Sequence, residues 1–143
     1  MIVNDVKKIS LKEFKKLKET YFDLVREEDF LVDYIDGKKF QTEYEFYQYF
    51  KPKYCFGSHF GHNWDAFADC MKDLMFWDDK QGFIIVLYNF KYMFSNHLEY
   101  KEIIVDCFQL VANFLDNEVL TTSGGCNHLK SFDVYLVDED ISL

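Results

Sequence analysis

Apolar residues recur at three- and four-residue steps in several parts of the chain, which is the spacing of amphipathic helices. The stretches with this spacing are about 10–28, 42–49, 63–75 and 95–115. Ser10 followed by Glu13, and Thr42 followed by Glu45, fit capping boxes that begin the first two helices. The second helix is expected to end shortly before Pro52, because the residue that precedes a proline disfavours helical backbone.

Three shorter stretches have the β-branched and aromatic residues typical of strands. They span residues 30–36, 82–88 and 132–138. The middle one is almost wholly apolar, which suits a strand buried on both faces of a parallel sheet. Strands separated by helices imply right-handed crossovers. The pattern therefore predicts an α/β fold with a three-stranded parallel sheet and about four helices, plus an extra N-terminal helix before the first strand.

The size and composition of the chain indicate one folding unit. It has 143 residues, a single proline and no Gly/Ser-rich linker. We divide it into an N-terminal helical extension, 1–29, and a main domain, 30–143. No stretch approaches the roughly 18 apolar residues of a membrane span, and no signal peptide is recognisable, so we expect a cytoplasmic protein. Its four cysteines lack paired spacing and are expected to be reduced thiols.

The charge of the chain is strongly negative and unevenly distributed. The formal net charge is −9. Residues 1–29 contain seven basic and seven acidic residues, so the excess of acid lies entirely in 30–143. Direct nucleic-acid binding requires basic residues that replace counterions, and the composition argues against it. An acidic domain is better suited to a basic protein partner, although many acidic proteins are acidic only for solubility.

The helix predicted from Asn63 has two contrasting faces. On a helical wheel, apolar side chains fall on one side; they are Trp64, Phe67, Met71, Leu74 and Met75. Asp65, Asp69 and Asp73 fall almost opposite, at four-residue steps, with no lysine squarely between them. Like charges at this spacing destabilise a helix slightly. The row is either a plain solvated face or a surface that pairs with Lys, Arg and His of a partner.

The run from Gly61 to Cys70 resembles the second-helix motif of the barstar family. The positions that match the family motif are Gly61, Asn63, an apolar residue at 64, Asp65, Ala66, Asp69 and Cys70, and Phe67 stands where the motif has leucine. The order of predicted elements also agrees, and the resemblance covers about residues 30–138. Ala68 and Leu74 depart from the pattern, since they stand where the family prototype has tryptophans.

The resemblance implies an inhibitor, not an enzyme. Barstar-like proteins insert an acidic helix into the active site of a basic ribonuclease, and many are immunity proteins against toxins. By resemblance Asp65 and Asp69 are the central contacts, with Asp73 as a third. The loop residues His59 and Phe60 are expected to touch the partner, while Gly61 and Asn63 shape the start of the helix. The expected complex is a 1:1 heterodimer of a monomeric inhibitor with a basic nuclease toxin.

Other interpretations remain open on the sequence. The same fold is also suited to an interaction module that binds a partner other than a nuclease. A zinc site would need ligands such as Cys55, His59, His62 and Cys70 to converge, but their spacing matches no common motif, so we expect no metal or cofactor. A hydrolase with Asp65 and Asp69 as paired carboxylates is disfavoured, because residues four apart on one helix lie side by side and not across a cleft.

Overall fold

The fold was established with a computed structural model that describes residues 4–57, 61, 63–115 and 130–138. The strands are β1 (Asn4–Ile9), β2 (Phe30–Asp36), β3 (Gly82–Tyr88) and β4 (Ser131–Val137). The α-helices are α1 (Leu11–Leu17), α2 (Glu43–Lys53), α3 (Trp64–Trp77) and α4 (Leu98–Phe114). None of the helices in these ranges is long and apolar enough to cross a membrane.

The sheet has four parallel strands, in the order β1-β4-β3-β2, and the prediction of three was wrong. The additional strand is β1, which pairs with β4 along its whole length, from Asn4 opposite Phe132 to Ile9 opposite Val137. Its sequence gives little warning, because Lys7 and Lys8 interrupt the apolar pattern and leave only Val6 and Ile9. Pairing with β4, a strand distant in sequence, makes this segment a strand.

Helices cover both faces of the sheet. The larger core lies on one face, where α2, α3 and α4 pack against alternate residues of β3, namely Phe83, Ile85 and Leu87. The smaller core lies on the other face, where Phe14 and Phe22 pack against Ile84 and Val86. β3 and β4 are therefore buried on both faces, as the apolar run at 82–88 predicted.

The N-terminal helix is shorter than predicted. α1 begins with the predicted capping box of Ser10 and Glu13, but it continues from Lys18 to Phe22 as a single π-helical turn. A π turn holds more residues than an α turn, and it shifts the apolar face by one position. Phe22 is consequently buried, whereas Tyr21 is only partly buried and Leu24 is 71% exposed. The division of the chain between residues 29 and 30 stays a prediction.

α2 extends past Pro52, which we expected to lie beyond its end. The helix keeps Pro52 in its last turn, and the Tyr54 N–H closes that turn on the Phe50 carbonyl at 2.9 Å. The rings of Phe50 and Tyr54 stack 5.1 Å apart in the larger core. Burial of both rings on one face stabilises the turn against the proline, which removes one backbone donor.

A buried carboxylate fastens the end of α2 to β2. Asp33 is 2% exposed and accepts hydrogen bonds from the Tyr54 hydroxyl, at 2.7 Å, and from the Tyr49 hydroxyl. Burial raises the pKa of the Tyr54 hydroxyl well above its usual value, and the nearby Asp33 carboxylate adds to the effect. Both tyrosines therefore stay protonated and act as donors to Asp33.

Candidate functional site

The start of α3 is fixed by its side-chain cap. Asn63 has an extended backbone, and its Oδ1 accepts a hydrogen bond from the Ala66 N–H at 2.8 Å. Gly61 lies beside this cap, where a Cβ would come within 3.3 Å of the Asn63 amide nitrogen. The helix predicted from Asn63 is thus confirmed, and it continues two residues beyond the predicted end, to Trp77.

The two faces of α3 are arranged as the sequence predicted. Phe67 and Met71 are fully buried and Leu74 is 1% exposed, whereas Asp65, Asp69 and Asp73 are all exposed. We call these three residues the acidic row. At 1.5 Å of rise per residue, neighbouring members are offset by about 6 Å along the helix axis. The core packing of the opposite face holds the acidic row in one orientation towards solvent. The side chain of Met75 lies outside the described residues.

A lysine lies closer to the acidic row than the sequence suggested. The Lys72 Nζ is 3.5 Å from the Asp69 Oδ1, one turn away on the same helix. The Asp69 side chain is nevertheless 72% exposed. An exposed ion pair of this kind contributes about 0–1 kcal/mol, so Lys72 is easily displaced by a stronger cation from a partner.

The seam between α3 and α4 involves two buried cysteines. The Cys107 thiol of α4 donates to the Trp64 carbonyl of α3 at 3.7 Å. Burial, with smaller contributions from Asp106 and Asp65, raises the pKa of Cys107 to about 11. Burial likewise raises the pKa of Cys70, helped by Asp73 and Asp69. Both thiols stay protonated at neutral pH and are poor nucleophiles.

Aromatic residues surround the first turn of α3. The Trp64 ring lies 5.1 Å from the ring of Tyr47 and 5.8 Å from that of Tyr100. The hydroxyls of both tyrosines donate hydrogen bonds to Glu43 at the start of α2. The bond from Tyr100 to Glu43 raises the pKa of Tyr100. Glu43 therefore adds a negative charge beside the start of the acidic row, and sequence spacing gave no indication of it.

Two acidic residues near the start of α4, Glu99 and Glu102, lie on different sides of that helix. Glu99 lies in the first turn of α4, with its Oε1 3.6 Å from the His97 Nδ1. His97 stacks on Tyr100, which contacts Trp64 of α3. Glu102 instead lines a groove beside Lys8 of β1 and Leu136 of β4. Of these two acidic residues, Glu99 is therefore the nearer to the start of α3.

Some predicted site residues fall outside the part of the chain that the structure describes. They are His59 and Phe60 of the proposed contact loop, and His62 of the alternative zinc site. Of the other zinc candidates, Cys55 is exposed and Cys70 is buried. Within the described ranges no three His, Cys, Asp or Glu side chains cluster as metal ligands would. Ala68 and Leu74, the departures from the family pattern, are 5% and 1% exposed.

Replacement of Asn63 with alanine is expected to lower the free energy of unfolding by about 1 kcal/mol, because the Ala66 N–H loses its acceptor. Urea denaturation measures the loss. Asn63→Asp keeps an oxygen at the cap and places a negative charge at the positive end of the helix dipole, so its stability should equal or exceed that of the native protein. Equal losses in the two variants would show that the cap does not stabilise α3.

Comparison with known proteins identifies one family. The family model described as Barstar (barnase inhibitor) matches residues 30–123, about two thirds of the chain. The matched range begins at β2 and includes α2, α3, β3 and α4, and so it contains the acidic row. Searches of curated proteins and of solved structures gave no significant match.

Proposed function

Because the chain belongs to the barstar family of ribonuclease inhibitors, we propose that it is a stoichiometric inhibitor that occludes the active site of a ribonuclease-type toxin with α3. The observation that carries the proposal is the acidic row. Three exposed carboxylates lie along one helix whose opposite face is locked into the core, inside the range that the family model matches. The expected complex contains one inhibitor and one toxin.

Electrostatics supports a basic partner. The net charge of −9 attracts a positively charged protein over long range and accelerates its association. At short range, carboxylates on a rigid helix form charge-assisted hydrogen bonds with Arg, Lys and His. The active site of a ribonuclease is rich in such cations because it binds the phosphates of RNA. The same carboxylates repel nucleic acid, so RNA itself is not the expected ligand.

Within the proposed interface each residue has a distinct task. Asp69 lies in the middle of the acidic row and is expected to meet the central cation of the toxin, flanked by Asp65 and Asp73. Asn63 and Gly61 hold the first turn of α3 in place. His59 and Phe60 are expected to contact the toxin beside that turn. Glu99 supplements the acidic row on the α4 side.

The toxin is expected to differ from barnase in one respect. Ala68 and Leu74 occupy positions where the family prototype has tryptophans, and both are buried. Neither side chain offers aromatic surface to a partner. The aromatic rings next to the start of α3, those of Trp64 and Tyr100, lie at a different place on the surface. We therefore expect specificity for a toxin whose surface matches this arrangement.

The proposal is tested by titrating ribonuclease activity with the protein. The enzymes are barnase and a ribonuclease encoded beside this chain's gene, each assayed on RNA at a fixed concentration. A linear loss of activity that ends at one equivalent is expected for the neighbouring toxin. Absence of inhibition of any ribonuclease, together with tight binding to the product of the neighbouring gene, would overturn the nuclease proposal in favour of a different partner.

A further inference from the structure

The N-terminal segment forms a separate layer on the sheet. Residues 4–29 precede the range matched by the Barstar model, and they place β1 at the sheet edge and α1 on the face opposite α3. Phe14 and Phe22 are the buried side chains by which this layer contacts the sheet. The layer therefore adds to the matched domain without covering the acidic row.

A carboxyl group is buried beneath this layer. Asp133 lies on β4, opposite Asp5 of β1 on one side and Ile84 of β3 on the other, and is 2% exposed. Its Oδ1 is buried and has no hydrogen-bond partner among the described residues. Asp133 borders a cavity of about 330 Å³ between the sheet and the N-terminal segment, which Leu17 and Tyr21 also line. Among the described residues that line this cavity, all except Asp133 and Tyr135 of β4 belong to the N-terminal segment.

The groups that face Asp133 do not neutralise its charge. Lys7 of β1 favours the ionised form, whereas Asp5 of the same strand opposes it. Glu13 of α1, Tyr21 and Tyr135 line the same cavity. The β3 residue opposite Asp133 is the apolar Ile84. Burial has the largest effect and raises the pKa of Asp133 to about 7.

We propose that the N-terminal segment, residues 4–29, is a cap whose docking on the sheet is controlled by the ionisation of Asp133. When the cap lifts, water reaches the carboxyl group and stabilises its charged form. When the cap is docked, burial favours the neutral carboxyl group, because Lys7 offsets only part of the cost of burying its charge. Ionisation therefore favours the lifted state, in which apolar residues of the sheet face are open; these are Ile84, Val86, Tyr135 and Val137.

The pH range of the switch follows from the two protonation equilibria. The docked state binds the proton of Asp133 with a pKa of about 7, and the lifted state with a pKa near its ordinary value of 3.8. Docking is therefore tightest below about pH 4 and weakens as the pH rises towards 7. Above pH 7 both states are ionised at this residue, and docking no longer changes with its titration.

Hydrogen exchange of backbone amides tests this cap. In the native protein, protection of the β1 amides, corrected for the intrinsic exchange rate, should fall at least tenfold between pH 5 and pH 7.5. The amides of β3 should change less than twofold over the same range, because the rest of the sheet stays folded. In Asp133→Asn, which cannot ionise, protection of β1 should change less than twofold.

Asp5→Asn is the matched control. It removes a neighbouring carboxyl group that opposes ionisation of Asp133, so the fall in β1 protection should persist but be complete at a somewhat lower pH. Three results would overturn the cap. They are constant protection of β1 in the native protein, an equal fall in Asp133→Asn, and an equal fall in β3, which would show global unfolding. The proposed inhibitory surface, the acidic row, lies on the opposite face of the sheet, and its test is a separate ribonuclease assay. A failure of that assay would leave the hydrogen-exchange result for the cap unaffected.

Discussion

Replacement of Asp69 with alanine should weaken the complex with the toxin by about 2–5 kcal/mol, because it leaves a desolvated cation of the toxin without its partner. Asp69 lies in the middle of the acidic row, so we expect that a carboxylate nearer the rim of the interface cannot replace it as the partner of the central cation. Isothermal titration calorimetry measures the change in affinity. The effect should appear mainly in the dissociation rate, since the remaining charge still steers association.

The same substitution should hardly affect the free protein. Asp69→Ala removes an exposed ion pair with Lys72, worth about 0–1 kcal/mol. It also relieves repulsion from Asp65 and Asp73 one turn away on either side, a few tenths of a kcal/mol each. These small changes oppose each other, and thermal unfolding should show a nearly unchanged midpoint.

Asp79→Ala is the matched control for Asp69→Ala, because it removes the same charge from an exposed position beyond the end of α3. It should lower the association rate slightly and leave the dissociation rate unchanged. Normal affinity of Asp69→Ala would place the interface elsewhere on the molecule. Equal losses in the two variants would mean that net charge, and not the acidic row, determines binding.

Replacement of Phe14 with alanine should lower the free energy of unfolding by about 3–5 kcal/mol, the usual cost of truncating a buried phenylalanine. Phe14 is 1% exposed and contacts the rings of Phe22 and Tyr34. Its removal leaves a void over Ile84 and Val86 of β3. Denaturant unfolding followed by tryptophan fluorescence gives the value, because Trp64 packs against the larger core on the opposite face of the sheet.

Leu24→Ala is the control for Phe14→Ala, since Leu24 belongs to the same segment but is 71% exposed. It should change the unfolding free energy by less than about 0.5 kcal/mol. A loss below 1 kcal/mol in Phe14→Ala would show that the N-terminal segment contributes little to the fold, although it lies on the sheet.

The elements that the sequence predicts best are those in which the pattern of apolar and polar residues matches the pattern of burial. Residues 82–88 are almost wholly apolar, and they form β3 with the predicted bounds. α3 separates apolar from acidic positions cleanly and was also recognised. In α4, by contrast, Leu98 and Leu110 fit the helical spacing but are 63% and 55% exposed, because the buried face is narrower than the apolar one. β1 was missed for the reason that its partner lies more than 120 residues away.

The candidate site divides in the same way. The acidic row follows from spacing alone, because one helix carries all three carboxylates and their direction depends only on the helical period. The charges around it depend on how helices are placed relative to each other. Glu43 lies near the start of α3 because α2 and α4 both contact Trp64 there. The spacing of residues within one helix does not predict such contacts between helices.

The order of the strands also determines when the sheet can be completed during synthesis. Of the four strands described, β1 leaves the ribosome first, yet its hydrogen-bonding neighbour β4 is made last. β2 and β3 can pair once Tyr88 has emerged, but β1 waits for residues 131–137. Pairing over such a long sequence separation closes slowly. The nascent chain therefore presents β1 and the apolar side of α1 for most of translation, and this is the segment that a ribosome-associated chaperone would meet longest.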